Sequence, residues 1–204
     1  MSGASRRLRA KMSVFNFDGG VGMSMPRIER WFVSSLVAIV VVGCIAGVAQ
    51  VPASEKVERV PMANSDFPIS AAVIVPAGYD TIYVSGHIPK VANPNAPKGS
   101  TEAYGDTKTQ TVSVLKQIED ELAAQQLSMA DVVMMHVFLV GDPANGDKMD
   151  FAGMMAGYTQ FFATKQQPNK PARSAVQVAG LAAPGALVEI EVIAVRKHVA
   201  GLVH

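Results

Sequence analysis

The 204-residue sequence contains a single cysteine, Cys44, and only one tryptophan. One thiol excludes an internal disulfide, so a folded domain has to rely on its apolar core for stability. The four histidines show no metal-ligand spacing and no second cysteine accompanies them, so we expect no metal site. The glycine-rich nucleotide-binding motifs and the G-x-S-x-G nucleophile motif are also absent, and we expect no cofactor.

The sequence also lacks an excess of charge of either sign. The chain has 18 basic and 17 acidic residues, which gives a formal net charge of +1. A chain without a broad basic surface has little with which to neutralise phosphates, so we expect no nucleic-acid partner. Hydrophobic residues make up 49% of the sequence, enough for the core of one ordinary domain with an appendage, and not for two full domains.

The appendage is expected at the N-terminus, in residues 1–53. Two arginines precede an uncharged run at 31–51, the order of a secretory signal, and this predicts an exported protein that is periplasmic or membrane-anchored. Cleavage after Ala49 competes with lipidation of Cys44, because "VVGC" resembles the lipobox of bacterial lipoproteins. A retained transmembrane anchor is the alternative to both. Contact with a membrane is expected only through this segment.

Residues 54–198 are expected to form one domain, followed by a tail at 199–204. The β-branched runs "ISAAVIV" and "TIYVSGHI" flank the turn "PAGYD" and predict a hairpin. Helical apolar spacing predicts helices at residues 106–127 and 151–162. The apolar run "MADVVMMHVFLV" predicts a strand covered on both faces, and two further strands are expected at 173–179 and 186–196. The predicted order is β-β-α-β-α-β-β, an α+β sandwich with two helices on one face of a mixed sheet.

Charged residues interrupt the last two predicted strands. Arg173 opens the stretch "PARSAVQV", and Glu189 and Glu191 lie two apart in "ALVEIEVIAV", so both glutamates face one side of their strand. Neighbouring strands would bring Arg173 to the same surface. The guanidinium fork can hold a carboxylate, and a glutamate can orient water as a general base. The pattern predicts a site for a small acid, with a structural Arg–Glu ion pair as the alternative.

Several segments together resemble a known family. The stretches "FPISAAVIV", "IYVSGHIP", "DFAGMMAGYTQFF", "PARSAVQVAGL" and "GALVEIEVIAVR" resemble, in order and spacing, the RidA/YjgF reactive-intermediate deaminases over residues 67–196. The resemblance implies a chorismate-mutase-like fold and cofactor-free hydrolysis of 2-imino and enamine acids, such as 2-iminopropanoate, to 2-oxo acids and ammonia. It also implies a homotrimer with sites between subunits.

The resemblance assigns roles to individual residues. The family's carboxylate-anchoring arginine corresponds to Arg173, and its water-orienting glutamate corresponds to Glu189. Gly86 falls where the backbone of the family approaches the ligand, and His87 beside it replaces a glutamine.

Other pocket positions depart from the family pattern. Ile69 stands in place of a tyrosine, Ala175 in place of a frequent cysteine, and Met155 in place of a frequent asparagine. These changes indicate a bulkier or different acid, and loss of the tyrosine hydroxyl would weaken or abolish deamination. The alternative is a non-catalytic trimeric protein that binds a small carboxylate through Arg173. RNA cleavage is an activity also ascribed to parts of the family, and it has little support in a near-neutral chain.

Overall fold

The computed structural model describes residues 55–198. The predicted export segment, Cys44 and the tail at 199–204 lie outside the described residues. Six strands and two α-helices follow one another as β1 (Glu58–Pro61), β2 (Ser70–Ile74), β3 (Tyr79–His87), α1 (Thr107–Ala124), β4 (Val132–Val140), α2 (Phe151–Tyr158), β5 (Ala172–Val178) and β6 (Val188–Lys197). The predicted α+β architecture, with two helices against a mixed sheet, is confirmed.

Strands β3, β6, β4 and β5 form a four-stranded sheet in that order. β6 is antiparallel to both neighbours, while β4 and β5 are parallel. Both helices pack on one face of this sheet, where Leu115, Ile118 and Tyr158 are fully buried with alternate residues of β4 and β6. The other residues of β4 are only half-buried, so the expectation that β4 is covered on both faces is wrong for a single chain.

The predicted hairpin between β2 and β3 is wrong. β2 pairs with β1, a strand that the sequence interpretation missed, and β3 pairs with β6. Long-range bonds explain the difference: the Arg59 guanidinium donates to the carbonyls of Lys170 (2.9 Å) and Ala130 (2.8 Å), and the Ser70 amide donates to the Pro171 carbonyl (2.9 Å). These bonds tie β1 and β2 to the starts of β4 and β5.

Both helices begin at capping aspartates. Asp106 accepts a hydrogen bond from the Thr109 amide (2.7 Å) before α1, and Asp150 accepts one from the Gly153 amide (2.8 Å) before α2. α2 ends at Tyr158, before the predicted limit at residue 162, because the following turn is closed by tighter bonds from the Gln160 amide to the Gly157 carbonyl and from the Phe161 amide to the Tyr158 carbonyl. Neither helix of residues 55–198 has the length and apolar character needed to cross a membrane.

The cap at Asp106 makes stability depend on pH. Hydrogen bonds from the side chain and backbone of Thr109 hold the pKa of Asp106 below its usual range. A depressed folded-state pKa contributes stability above the unfolded pKa of about 4, and that contribution is lost as pH falls through the folded-state value. We expect Asp106→Ala to lower the free energy of unfolding by about 1 kcal/mol at pH 7, with a smaller difference at pH 3.

Urea unfolding at the two pH values measures this difference. Asp106→Asn is the matched control, because it keeps a capping oxygen that does not titrate. An Asp106→Ala deficit of the same size at both pH values would contradict the ionised cap.

Candidate functional site

The charge of Arg173 lies on the face of the sheet that the helices cover. Arg173 is paired in register with Met135 of β4, whose side chain is fully buried on that face. The guanidinium carbon lies 4.4 Å from the ring centroid of Tyr158, 5.7 Å from that of Phe67 and 5.9 Å from that of Phe151. Three aromatic rings therefore surround one cation.

Two thioethers complete these surroundings. Nη2 of Arg173 lies 3.2 Å from Sδ of Met155, and Nη1 lies 3.9 Å from Sδ of Met154. Sulfur of this kind is a weak acceptor, so the guanidinium keeps most of its capacity to donate. We call the five residues around Arg173 the arginine cage: Phe67, Phe151, Met154, Met155 and Tyr158.

Helical spacing builds most of the cage. Its four members from α2 are three and four residues apart, which places them on one side of the helix. Phe67 comes from the loop before β2 and stacks on Phe151, with ring centroids 6.4 Å apart and an interplanar angle of 7°. The Tyr158 hydroxyl donates to the Pro68 carbonyl (2.8 Å), which fixes this loop against the helix. The sequence interpretation placed Met155 among the pocket positions through the family resemblance, but it did not connect Phe151, Met154 or Tyr158 with Arg173.

No carboxylate neutralises Arg173 within residues 55–198, where the ion pairs involve other residues. Burial lowers the pKa of the Arg173 guanidinium, and burial also raises the pKa of Tyr158 well above its usual range. Placing a charge among apolar groups is unfavourable unless a partner of opposite charge joins it. Within residues 55–198 of a single chain, Arg173 forms no Arg–Glu ion pair of the kind considered as an alternative, and the cage is suited to an incoming carboxylate.

Glu189 and Glu191 lie on the opposite face of the sheet, which we call the open face. They are paired in register with Phe138 and His136 of β4, and the prediction that both glutamates face one side is confirmed. Glu191 Oε1 lies 2.9 Å from His136 Nδ1. Glu189 has no such partner among the described residues, and its carboxylate lies directly against Gly86.

The close contact of the Glu189 carboxylate with residue 86 requires a glycine at that position. A Cβ atom added at Gly86 would collide with Oε1 of Glu189. The register of β3 against β6 shifts between Val84 and His87, so the strand is irregular where the carboxylate meets it. His87 ends β3 with Nδ1 2.9 Å from the Ser85 carbonyl. Gly86, His87 and Glu189 form what we call the glutamate half-site.

The expectation that Arg173 and Glu189 share one surface of a single chain is wrong. β4 lies between β5 and β6, so the strands that carry the two residues are not neighbours. The register also places Arg173 beside Met135 on the helix face, and Glu189 beside Phe138 on the open face. A site that contains both groups has to draw them from two chains.

The remaining predicted positions lie near Arg173. Ala175 is two residues further along β5 on the same face and is partly buried against the core. Ile69 is also partly buried there, and its amide donates to the Phe67 carbonyl (2.8 Å), so it belongs to the loop that supplies a wall of the cage. Arg173, its cage, Ile69 and Ala175 form what we call the arginine half-site. In residues 55–198, no group of three or more His, Cys, Asp or Glu side chains is arranged to hold a metal ion.

The mixed sheet with two helices on one face defines an α+β protein with the chorismate-mutase-like fold. A family model described as endoribonuclease L-PSP matches residues 66–196, and the chain belongs to this family, the RidA/YjgF family that the motifs indicated.

Similar proteins include a RutC family protein of Haemophilus influenzae, 37% identical over 116 residues, which cover 57% of this chain and 79% of that protein. The 3-aminoacrylate deaminase RutC of Acinetobacter baylyi is 32% identical over 127 residues, with 62% and 88% covered. Among solved structures, a conserved Rid family protein of unknown function, YyfB from Yersinia pestis, matches with a TM-score of 0.50 and 24% identity, over 68% of this chain and 97% of that one. This last likeness supports the fold alone.

Proposed function

We propose that the protein hydrolyses 2-imino and enamine acids to 2-oxo acids and ammonia. The observation that carries the proposal is the guanidinium of Arg173, held among rings and thioethers without a carboxylate partner in the described chain. The similar protein named 3-aminoacrylate deaminase is named for an enamine acid, and a carboxylate is the natural partner of such a guanidinium.

In the proposed reaction, Arg173 holds the substrate carboxylate through two parallel N–H donors, and the carboxylate replaces the weak acceptor Sδ of Met155. Glu189 accepts a proton from water, which attacks the carbon of the C=N bond. Glu189 returns this proton to the nitrogen, the carbinolamine hydroxyl loses its own proton as the C–N bond breaks, and both protons of the water leave with the nitrogen as ammonia. The products are the 2-oxo acid and ammonia, and water supplies the oxygen.

We further propose that the site forms between the subunits of a homotrimer, with the arginine half-site of one chain facing the glutamate half-site of its neighbour. The separation of Arg173 and Glu189 on opposite faces supports this arrangement. The open face also carries exposed apolar side chains, including Tyr83 (77% exposed) and Val176 (47% exposed), which a second copy would cover. Sedimentation equilibrium tests the assembly, and a fully active monomer would contradict it.

The reaction is tested by following ammonia release and semicarbazide trapping of imines generated by an amino-acid oxidase. The full chain is expected to accelerate imine loss, and Arg173→Met and Glu189→Gln are expected to remove the acceleration. The alternative function, a binding protein without turnover, predicts saturable binding of 2-oxo acids with no acceleration for any imine. That result would contradict the proposed deaminase activity.

We also propose that residues 1–53 export the protein to the periplasm or anchor it to a membrane. Arg27 and Arg30 before an uncharged run support export, and "VVGC" supports lipidation at Cys44. Cell fractionation of the full chain and of Cys44→Ala tests both steps. Recovery of the wild-type chain in the cytoplasm would refute export, and a membrane-bound Cys44→Ala protein would refute lipidation as the anchor.

Gly86→Ala is expected to reduce turnover about tenfold or more with little effect on folding. The new Cβ would meet the end of the Glu189 side chain, which can rotate away at low cost, so the free energy of unfolding should change by less than about 1 kcal/mol. Displacement of the carboxylate by about 1 Å, however, is enough to disturb the attacking water.

A double-mutant cycle provides the control for this prediction. In a Glu189→Gln background, Gly86→Ala should cause no further loss of turnover. An additive loss would show that Gly86 does not act through Glu189.

A further inference from the structure

A pair of parallel phenylalanine rings stands beside the proposed carboxylate anchor. The Phe67 and Phe151 centroids are 5.7 Å and 5.9 Å from the guanidinium carbon of Arg173. Phe67 remains 36% exposed, whereas Tyr158 is fully buried. Of the cage members, Phe67 is therefore a ring that solvent and a ligand can reach.

The exposed ring is held in place before any ligand arrives. The Phe67 amide donates to Ser65 Oγ (3.1 Å), its carbonyl accepts from the Ile69 amide (2.8 Å), and the next carbonyl, of Pro68, accepts from the Tyr158 hydroxyl (2.8 Å). Stacking on Phe151 fixes the ring itself. A preformed wall of this kind binds a flat ligand group at little further cost in conformational entropy.

We propose that Phe67 is a specificity-determining residue and that the preferred substrates are 2-imino acids with an aromatic or large apolar side chain. This inference rests on the proposed function of Arg173. A carboxylate paired with the guanidinium places the substrate side chain two bonds away, within reach of rings less than 6 Å from the guanidinium carbon.

Candidate substrates differ in how well their side chains pack against the rings of Phe67 and Phe151. An aromatic side chain extends the stack that Phe67 and Phe151 begin, and it buries apolar surface. A methyl group leaves most of the Phe67 ring uncovered. A charged side chain would lose water there without gaining a partner of its own, because the substrate carboxylate already occupies Arg173. The Tyr158 hydroxyl donates to Pro68, and the remaining cage members are apolar or thioether groups.

Calorimetry with the full chain and three 2-oxo acids tests the inference. The probes are 3-phenyl-2-oxopropanoate, 2-oxopropanoate and 2-oxobutanedioate, which share the carboxylate and differ in the side chain. The wild-type protein is expected to bind the phenyl compound roughly tenfold or more tightly than the methyl compound. Phe67→Ala is expected to reduce this ratio roughly tenfold, and Phe67→Leu, which keeps an apolar side chain without a ring, should reduce it less.

Tyr79→Ala serves as the matched control, because Tyr79 is an aromatic residue at the start of β3, at the opposite end of that strand from Gly86 and His87. The ratio should not change in this variant. An unchanged ratio in folded Phe67→Ala, or a wild-type preference for either of the other two acids, would overturn the inference and leave the carboxylate anchor intact. Unaltered affinity for all three acids in Arg173→Met would instead overturn the anchor itself.

Discussion

Arg173→Met is expected to weaken 2-oxo acid binding by about 100-fold or more while changing the free energy of unfolding by less than about 1 kcal/mol. Loss of two charge-assisted hydrogen bonds to the ligand accounts for the binding effect. For stability, the attraction of the cation to three rings is offset by the cost of removing it from water, which lowers the pKa of Arg173. A methionine fits among Met154 and Met155 without leaving a buried charge.

Arg59 provides a matched control within the same chain. It is also a half-buried arginine, but its two Nη atoms donate to the carbonyls of Lys170 and Ala130. Arg59→Met would remove two charge-assisted hydrogen bonds, although Ser70 Oγ still donates to the Lys170 carbonyl and Asn169 Nδ2 to the Ala130 carbonyl. We expect a loss of about 1–3 kcal/mol in the free energy of unfolding, with 2-oxo acid binding retained. Urea unfolding and calorimetry on both variants make the comparison. A stability loss in Arg173→Met as large as that in Arg59→Met would identify Arg173 as a structural residue.

Local patterns predicted the parts of the fold that local chemistry decides. The three-and-four spacing of apolar residues predicted α1, and alternation along β6 placed Glu189 and Glu191 on one face. Arg173 was identified as a charge needing an explanation, and the structure shows it without an ionic partner in residues 55–198. Each of these conclusions depends on residues only a few positions apart.

The strand order was not predictable in the same way. β5 and β6 follow each other in the sequence, yet β4 separates them in the sheet, because β4 pairs with β5 in parallel and with β6 in antiparallel fashion. The β1–β2 pair is likewise held by bonds over long sequence separations, such as that from Arg59 to Lys170. Arg173 and its cage come from three separate segments, so the cage members other than Met155 could not be told from ordinary core residues by sequence alone.

Glu189→Gln is expected to lower kcat by about 10²-fold to 10⁴-fold, with 2-oxo acid affinity changed only a few fold. The amide keeps the shape of the side chain beside Gly86 but cannot accept the proton of the attacking water. Arg173→Met should give the complementary result, because its main effect should be a large loss of 2-oxo acid affinity. Steady-state kinetics and calorimetry on the same preparations separate the two effects, and a Glu189→Gln enzyme with unaltered kcat would remove Glu189 from the reaction.

Mixing these two inactive variants tests whether one site uses two chains. If Arg173 of one subunit works with Glu189 of its neighbour, a trimer that contains both variants has one site with both native groups. Random assembly from equal amounts makes about three quarters of the trimers mixed, and each mixed trimer has one native site in three, so about a quarter of the wild-type activity should return. Sites built within single chains would stay inactive in every combination. Absence of recovery in a mixture proven to contain mixed trimers would therefore contradict the site between subunits, even if both residues were essential.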